Sequence, residues 1–416
     1  MNIDLRLLLI VIILSILLLL YFLISLAVFR RVSHARKYKE LDKQKDIYNG
    51  KISGALRSGQ ILQGIAEFSA PPGSVKWQAI EAILLNLIQE KEYKDDVKKL
   101  FGRLGYVSFY EKQLRRNIIV RSSAIDKLGK MLSDASVARI AEHLKDNNPE
   151  VIAVSIRALS RIGNLKGLKS ILELLPHLVE NELVARKTIE TFLVNFGRDA
   201  APLYLECGRK SANPRIIAYI LEILSNLDDK RALPFAGENL KSTEPEVRSK
   251  ALKAIGKLAS GSKDFDGNLL MPLLEDPVWF VRLQAAKVLG KLLYEKSIDT
   301  LAGLLLDDKW QVRNAAATAL TKFGDISLDI FLKALRYNDQ YARESICEEL
   351  ERTNYVYRLI ENLASDNREI YSKSREILNI MHSMNFVTPM AEYLREGSSD
   401  KIINDLGLIL GERAKT

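Results

Sequence analysis

The sequence predicts an all-α protein, an α-solenoid of about eleven helical hairpins preceded by a single transmembrane helix. Three observations support this prediction: a long apolar segment near the N-terminus, a helix-periodic pattern that recurs about every 31 residues, and an aromatic content of only 7%. A hairpin with one strongly apolar face is stable only when neighbours cover that face, and a series of such hairpins stacks into a solenoid.

The first element is the apolar segment from Leu7 to Phe29, LLLIVIILSILLLLYFLISLAVF. As a helix it measures about 34 Å, enough to cross a hydrocarbon core of about 30 Å. It is longer than the hydrophobic region of a secretory signal, and the basic residues follow it rather than precede it. Residues 1–29 are therefore predicted to be a permanent single-pass anchor.

The second element is the basic juxtamembrane segment 30–45, RRVSHARKYKELDKQK, which has seven Lys or Arg and two acidic residues. On the other side of the span, Arg6 is offset by Asp4. The positive-inside bias places the long C-terminal part in the cytoplasm, at the inner face of the cell membrane. The segment contributes +5 of the net charge of +9. Anionic headgroups explain this cluster better than nucleic acid does.

The rest of the chain repeats itself. Val281, Ala285 and Leu289 lie at positions zero, plus four and plus eight of a helix, and therefore share one face. The zero position, which we call the anchor, recurs from Val120 onward at intervals of 28 to 34 residues. The anchors are Val75, Val120, Val151, Val184, Ile216, Val247, Val281, Val312, Ala342, Ile370 and Ile402.

A second apolar segment precedes each anchored helix, for example NLLMPLLE (268–275), and a short turn such as EDPV joins the two. Proline is tolerated in the turn because the first helical position needs no N–H partner, and a preceding Asp or Thr can cap exposed amides. Each unit is thus predicted to be a helical hairpin of about 31 residues.

The segments DPVWFVRLQAAKVLGKL, DDKWQVRNAAATALTKFGD, TEPEVRSKALKAIGKL and NIIVRSSAIDKLGKM resemble the second helix of HEAT repeats. The resemblance extends over about residues 70–412. The 45 residues between Val75 and Val120 interrupt the spacing with an insert around KKLFGRLGYVSFYEKQLRR. We therefore expect an N-terminal helical cap over 46–118, with the first repeat and the insert, and the repeat solenoid over 119–416.

Five repeats carry an arginine directly after the anchor, and two of them have an aspartate six residues before that arginine. In the HEAT proteins that this chain resembles, the turn aspartate and the arginine form a hydrogen-bonded ladder between successive repeats. A guanidinium can bind carboxylate and carbonyl oxygens together, so a structural role is expected in preference to ligand recognition. The predicted ladder residues are Arg121, Arg248, Asp276, Arg282, Asp307, Arg313 and Arg343. Trp279 and Trp310, at equivalent turn positions, are expected to pack against the next repeat.

Positions plus three, plus six and plus ten of the anchored helices point away from the buried stripe. In three consecutive repeats they hold a band of lysines, which is either a solvated face or a docking strip for an acidic protein segment or inner-leaflet lipid. The candidate partner-binding residues are Lys250, Lys253, Lys257, Lys287, Lys291 and Lys322.

No catalytic, cofactor-binding or metal-binding motif is found, and the two cysteines, Cys207 and Cys347, belong to no ligand pattern. The expected function is a membrane-tethered cytoplasmic scaffold for protein partners, and no cofactor, small-molecule substrate or nucleic acid is expected. The alternatives are a HEAT-like enzyme of the lyase type and a nucleic-acid-binding solenoid. A weaker resemblance, to bacterial membrane-anchored HEAT proteins of envelope polysaccharide systems, implies a membrane-associated enzyme such as a glycosyltransferase as the partner.

Overall fold

The computed structural model describes residues 5–59, 65–260, 265–337, 339–397 and 399–411. Asp4, which flanks the predicted span, and residues 412–416, the end of the predicted solenoid, lie outside the described residues. The structure is all-α throughout these ranges. The chain divides into two compact units, Met1–Ile171 and Leu172–Thr416.

The helices of the first unit are, in order, α1 (Leu5–Arg57), α2 (Val75–Leu87), α3 (Lys94–Arg103), α4 (Tyr106–Gln113), α5 (Ile118–Lys130), α6 (Val137–Glu142) and α7 (Pro149–Ile162), with α8 (Leu165–Glu180) at its end. The second unit contains α9 (Arg186–Val194), α10 (Ala201–Lys210), α11 (Pro214–Leu227), α12 (Leu233–Glu238), α13 (Pro245–Leu258), α14 (Trp279–Leu292), α15 (Ile298–Gly303), α16 (Trp310–Thr321), α17 (Leu328–Arg336), α18 (Gln340–Arg352), α19 (Tyr355–Glu361), α20 (Arg368–Ser383), α21 (Thr388–Glu396) and α22 (Asp400–Leu410).

Helix α1 is long and apolar enough to cross a membrane, and no side chain of the apolar window found within its described part, Leu14–Arg57, is buried by the protein. The length and composition of the helix indicate this, and a signal sequence near an N-terminus can have the same length and composition. The helix runs without a break through 30–45 and ends only at Arg57. The predicted boundaries after residues 29 and 45 therefore fall inside one helix.

The C-terminal end of α1 belongs to the core of the first unit. Ile52 and Leu56 are buried there together with Trp77 and Tyr106. The Tyr106 hydroxyl donates a hydrogen bond to the Trp77 carbonyl oxygen at 2.8 Å, and the two rings lie 3.7 Å apart. The end of α1 is thus fastened to the folded unit by apolar burial.

The insert after Val75 forms two further helices, α3 and α4. Because α5 packs against both α4 and α7, the predicted boundary at 118/119 lies within the first unit and does not separate it from the second.

In the second unit five successive anchored helices pack one against the next, in the order α11, α13, α14, α16 and α18. Val281, Ala285 and Leu289 of α14 are fully buried, as their spacing predicts. Gly290 lets α14 approach α16 closely, since a Cβ on it would come within 2.6 Å of the Ala319 backbone. Small residues at these crossings set the spacing between repeats.

Turn residues cap free amides at the starts of α7 and α18. The Asn148 side chain accepts hydrogen bonds from the Glu150 and Val151 amides at the start of α7, and Asp339 accepts one from Ala342 in α18. Proline occupies the first position of α7, where its missing N–H costs nothing.

Candidate functional site

Two arginines that follow anchors of the second unit, Arg248 and Arg282, form a ladder that joins neighbouring repeats. Arg248 donates from Nε and Nη2 to the two carboxylate oxygens of Asp276, both at 2.7 Å. Arg282 binds Asp307 in the same bidentate way, at 2.7 and 2.9 Å. Each arginine thus holds a carboxylate of the following repeat, a geometry that favours a planar guanidinium over a lysine.

Within a repeat the arginine binds a carbonyl rather than a carboxylate. Arg282 Nη1 donates to the main-chain oxygen of Asp276 at 2.9 Å, and Arg313 Nη1 donates to that of Asp307 at 2.9 Å. The sequence-based pairs Asp276 with Arg282 and Asp307 with Arg313 are therefore correct for the backbone but not for the side chains. Each aspartate side chain also accepts a hydrogen bond from its own turn, from the amides of Val278 and Lys309 respectively.

The remaining predicted ladder arginines differ in their partners. Arg121, in the first unit, pairs with Asp146 at 3.1 Å. Among the described residues no carboxylate lies within ion-pair distance of Arg313 or Arg343, and the Nε atoms of both are buried without a partner. For Arg313 the reason is visible in the sequence: five residues before the next anchor, where Asp276 and Asp307 stand in their own repeats, the chain has Tyr337.

Two of the six candidate lysines form ion pairs with a glutamate of the preceding anchored helix, α11. Lys250 and Lys253 donate to the carboxylate of Glu222, at 2.7 and 2.8 Å. Burial raises the pKa of Glu222, but the two hydrogen bonds and the two positive charges outweigh it and lower the pKa to about 2. These lysines are thus part of the contact between α11 and α13.

The other four lysines are exposed, and we call them the lysine column: Lys257, Lys287, Lys291 and Lys322. Lys257 donates a long hydrogen bond to Asn226 at 3.3 Å. Within the described ranges none of the four forms an ion pair with a carboxylate. Partial burial and the charge of Lys291 lower the pKa of Lys322, so these two cations, one repeat apart, repel each other.

The two turn tryptophans do not behave alike. Trp279 is partly buried and packs edge-on against Phe280, with ring centroids 5.9 Å apart. Trp310 is 58% exposed, so the expectation that it packs against the next repeat is wrong. It lies in the first turn of α16.

The arginine motif does not include one charged cluster, which is centred on Arg186. Arg186 lies two residues after the anchor Val184 instead of one, and it binds Glu190 at 2.9 Å and Glu246 at 2.8 Å. Its guanidinium also lies 4.8 Å from the centre of the Tyr219 ring, beside a cleft of about 400 Å³. Since these partners come from three different helices, no spacing rule could have identified the cluster.

A second cleft, of about 700 Å³, lies in the first unit and is lined in part by Lys91, Lys94, Lys130 and Arg161. Lys130 and Arg161 both pair with Asp126 at 2.7 Å. Among the described residues no group of three His, Cys, Asp or Glu side chains is placed to hold a metal ion.

Comparison with solved structures gives distant likenesses only. A mutant of Kap121p is 13% identical, with a TM-score of 0.45 over 88% of this chain and 51% of that one. Kap121p bound to Pho4p is also 13% identical, with a TM-score of 0.46 over 85% and 50%. An engineered protein is 16% identical, with a TM-score of 0.29 over 92% and 96%. The chain thus spans about half the length of the two Kap121p structures.

No curated protein matches the chain. A protein-family model described as HEAT repeats matches residues 267–351. This segment contains the bidentate pair between Arg282 and Asp307 and the buried stripe of α14. Residues 267–351 are therefore HEAT repeats, and they belong to an all-α helical solenoid of HEAT-like repeats.

Proposed function

We propose that the protein is a membrane-tethered scaffold that binds an acidic segment of a protein partner along the lysine column. HEAT-repeat solenoids are in general protein-binding scaffolds, because stacked repeats present a long continuous surface. The observation that supports this site is the set of four exposed lysines, in three consecutive repeats, that no carboxylate of the described chain neutralises.

The position of the lysines explains why they would attract an anion. Lys257 and Lys291 lie in the last turns of α13 and α14, and Lys322 ends α16. The negative end of each helix dipole stabilises these charges only in part. Partial burial lowers the pKa of Lys322, and the positive charge of Lys291 lowers it further. A flexible acidic segment would relieve this repulsion, and complementary charge mainly raises the association rate and specificity.

The membrane tether is the second part of the proposal. Helix α1 supplies the span, and the seven basic residues between 30 and 45 favour a cytoplasmic position for the repeats. Because α1 continues unbroken to Arg57 and its end is buried in the first unit, a continuous helix would join the first unit to the span. We propose a binding role and not a catalytic one, and a membrane-associated enzyme such as a glycosyltransferase is the partner to test first.

The lysine column is tested by charge reversal. The change Lys257→Glu, Lys287→Glu and Lys291→Glu, made together in the full chain, should abolish the recovery of bound proteins from native membranes. Lys250 and Lys253 are left unchanged because their ion pairs with Glu222 stabilise the fold.

A matched control reverses three exposed lysines that also lack a carboxylate partner in the described chain: Lys166, Lys169 and Lys296. Both variants change the net charge equally, so a non-specific effect would affect both. Recovery that is equal in the two variants would refute a role for the lysine column.

The membrane tether is tested by whether the mature protein retains its N-terminal segment and stays in the membrane. A permanent span predicts that the chain keeps residues 1–29 in the cell, stays in the membrane through alkaline carbonate washing, and carries a C-terminal reporter that is active in the cytoplasm. Removal of the N-terminal segment from the mature protein would identify it as a signal sequence.

A further inference from the structure

The arginine ladder of the second unit is interrupted at Arg313. Its Nη1 donates to the Asp307 carbonyl oxygen at 2.9 Å, as the equivalent atom of Arg282 does to Asp276. The guanidinium is therefore oriented as in the closed pairs. The carboxylate that would complete it is missing from the described chain, because Tyr337 occupies the aspartate position of the next repeat.

At this interruption an arginine N–H donor has no acceptor. Nε of Arg313 is buried and has no partner, and the same holds for Nε of Arg343, one repeat further on. In the closed pairs, Nε of Arg248 and Nε of Arg282 each donate to a carboxylate oxygen at 2.7 Å. A buried donor without an acceptor is unfavourable, so an external acceptor at this place would be stabilised.

Three large aromatic side chains are exposed around the same turns. Trp310 begins α16 and is 58% exposed; Tyr337 is 59% exposed, and Tyr341, in the first turn of α18, is 75% exposed. Helices α16 and α18 pack against each other, so their first turns lie at the same edge of the unit. Exposed aromatic residues beside an arginine are the composition that interface hot spots favour.

We propose that Arg313, with Trp310, Tyr337 and Tyr341 around it, is a docking site for an extended acidic segment of a protein partner. An aspartate or glutamate of the partner binds Arg313 as Asp307 binds Arg282, and its carboxylate accepts two hydrogen bonds from the Arg313 guanidinium. The flanking residues of the segment pack on the exposed rings. This site lies at the starts of the anchored helices and the lysine column lies at their ends, so the proposal does not depend on the column.

The chain itself provides the probe. The peptide Leu-Glu-Asp-Pro-Val reproduces residues 274–278. In the folded protein the aspartate of this segment, Asp276, accepts hydrogen bonds from Arg248. The full chain in detergent is labelled with 5-fluorotryptophan, and the resonance of Trp310 is assigned with Trp310→Phe. The peptide should shift this resonance saturably at millimolar concentration, and the same peptide with Asn in place of Asp should bind at least about tenfold more weakly.

Two variants distinguish a loss of peptide binding from a loss of folding. Arg313→Gln should weaken peptide binding at least about tenfold. Tyr337→Asp supplies the missing carboxylate from within the chain, so it should raise the thermal midpoint and abolish binding. A stabilised variant cannot lose binding through unfolding, which keeps the test decisive even if Arg313→Gln folds poorly.

The proposal is overturned if the resonance does not shift up to about 10 mM peptide, if the Asp and Asn peptides bind equally, or if Tyr337→Asp binds like the unchanged chain. Self-association of the unchanged chain that disappears in Tyr337→Asp, measured by sedimentation, would assign the site to a second copy instead of a partner. Loss of the lysine column's function would leave all these results unaffected, so the two proposals fail separately.

Discussion

Arg282 and Asp307 form a bidentate ion pair across 25 positions of the sequence, and both side chains are largely shielded from water, with 14% and 6% of their surface exposed. The same guanidinium binds the carbonyl oxygen of its own turn. One side chain thus fixes the turn of its own repeat and the start of the next one. The arginine that follows the anchor is here a structural residue, satisfied within the chain.

The first prediction concerns the stability that this pair contributes. Arg282→Gln should lower the free energy of unfolding by about 3 kcal/mol, because it leaves the Asp307 carboxylate shielded and without its counter-charge. Denaturant unfolding of the single variants and of the double variant with Asp307→Asn should show a coupling of at least about 1 kcal/mol. Lys309→Ala, which breaks only an exposed pair with Asp308, serves as the control and should leave the midpoint unchanged. Strictly additive single effects would argue against the ladder.

The second prediction is a pH dependence at Glu222. Its pKa is lowered to about 2 by Lys250 and Lys253 despite its burial. The ionised form is thus favoured in the folded state, so its contribution is complete above the unfolded pKa of about 4.3 and is lost as the pH falls towards 2. The stability difference between the unchanged chain and Glu222→Gln should be about 1 to 2 kcal/mol at pH 6, after allowance for the half-exposed Lys253, and should shrink towards pH 2.5.

The comparison with Glu222→Gln cancels the other carboxylates, because they titrate in both proteins. A difference that stays constant between pH 6 and pH 2.5 would show that this ion-pair cluster does not form.

The third prediction concerns close packing between repeats. Gly290→Ala should destabilise the fold by about 1–3 kcal/mol, because the added Cβ would meet the Ala319 backbone within 2.6 Å. Gly303, in α15, provides a matched control since a Cβ there meets nothing within 4 Å. Gly303→Ala should be neutral or slightly stabilising, as alanine favours the helix. Thermal unfolding measures both changes, and equal effects would contradict the packing between α14 and α16.

The fourth prediction is a difference in thiol reactivity. Burial raises the pKa of the Cys347 thiol to about 12, and burial together with Glu206 raises that of Cys207. Since the thiolate is the reactive form, iodoacetamide at pH 8 should modify Cys347 only after unfolding and Cys207 slowly in the native chain. Peptide mass spectrometry distinguishes the two sites. Rapid labelling of Cys347 in the native protein would place it outside the core.

The helical period predicted the buried stripe of α14, whose Val281, Ala285 and Leu289 are all buried. It could not predict that Lys250 and Lys253 bind Glu222, because that pairing depends on the rotation of α13 against α11. Likewise, the arginine motif singled out Arg248 and Arg282, but the partner of Arg282 is set by the offset between stacked repeats. The exposure of Trp310, at 58%, has no periodic signal in the sequence.

The same reasoning applies to the predicted boundaries after residues 29 and 45. Composition separates the apolar segment 7–29 from the basic segment 30–45, although both lie in α1. A helix continues across a change of polarity when both parts lack helix-breaking residues, and here no proline or glycine occurs before Gly50.

The central claim is that arginines of the closed ladder stabilise the fold whereas the lysine column binds the partner. The most direct test is the recovery of bound proteins from native membranes by Arg282→Gln and by Lys287→Glu with Lys291→Glu, each normalised to its folded fraction. The account predicts that Arg282→Gln recovers as much protein per folded molecule as the unchanged chain, and that the lysine variant recovers little. Loss of recovery in Arg282→Gln with normal recovery in the lysine variant would contradict it.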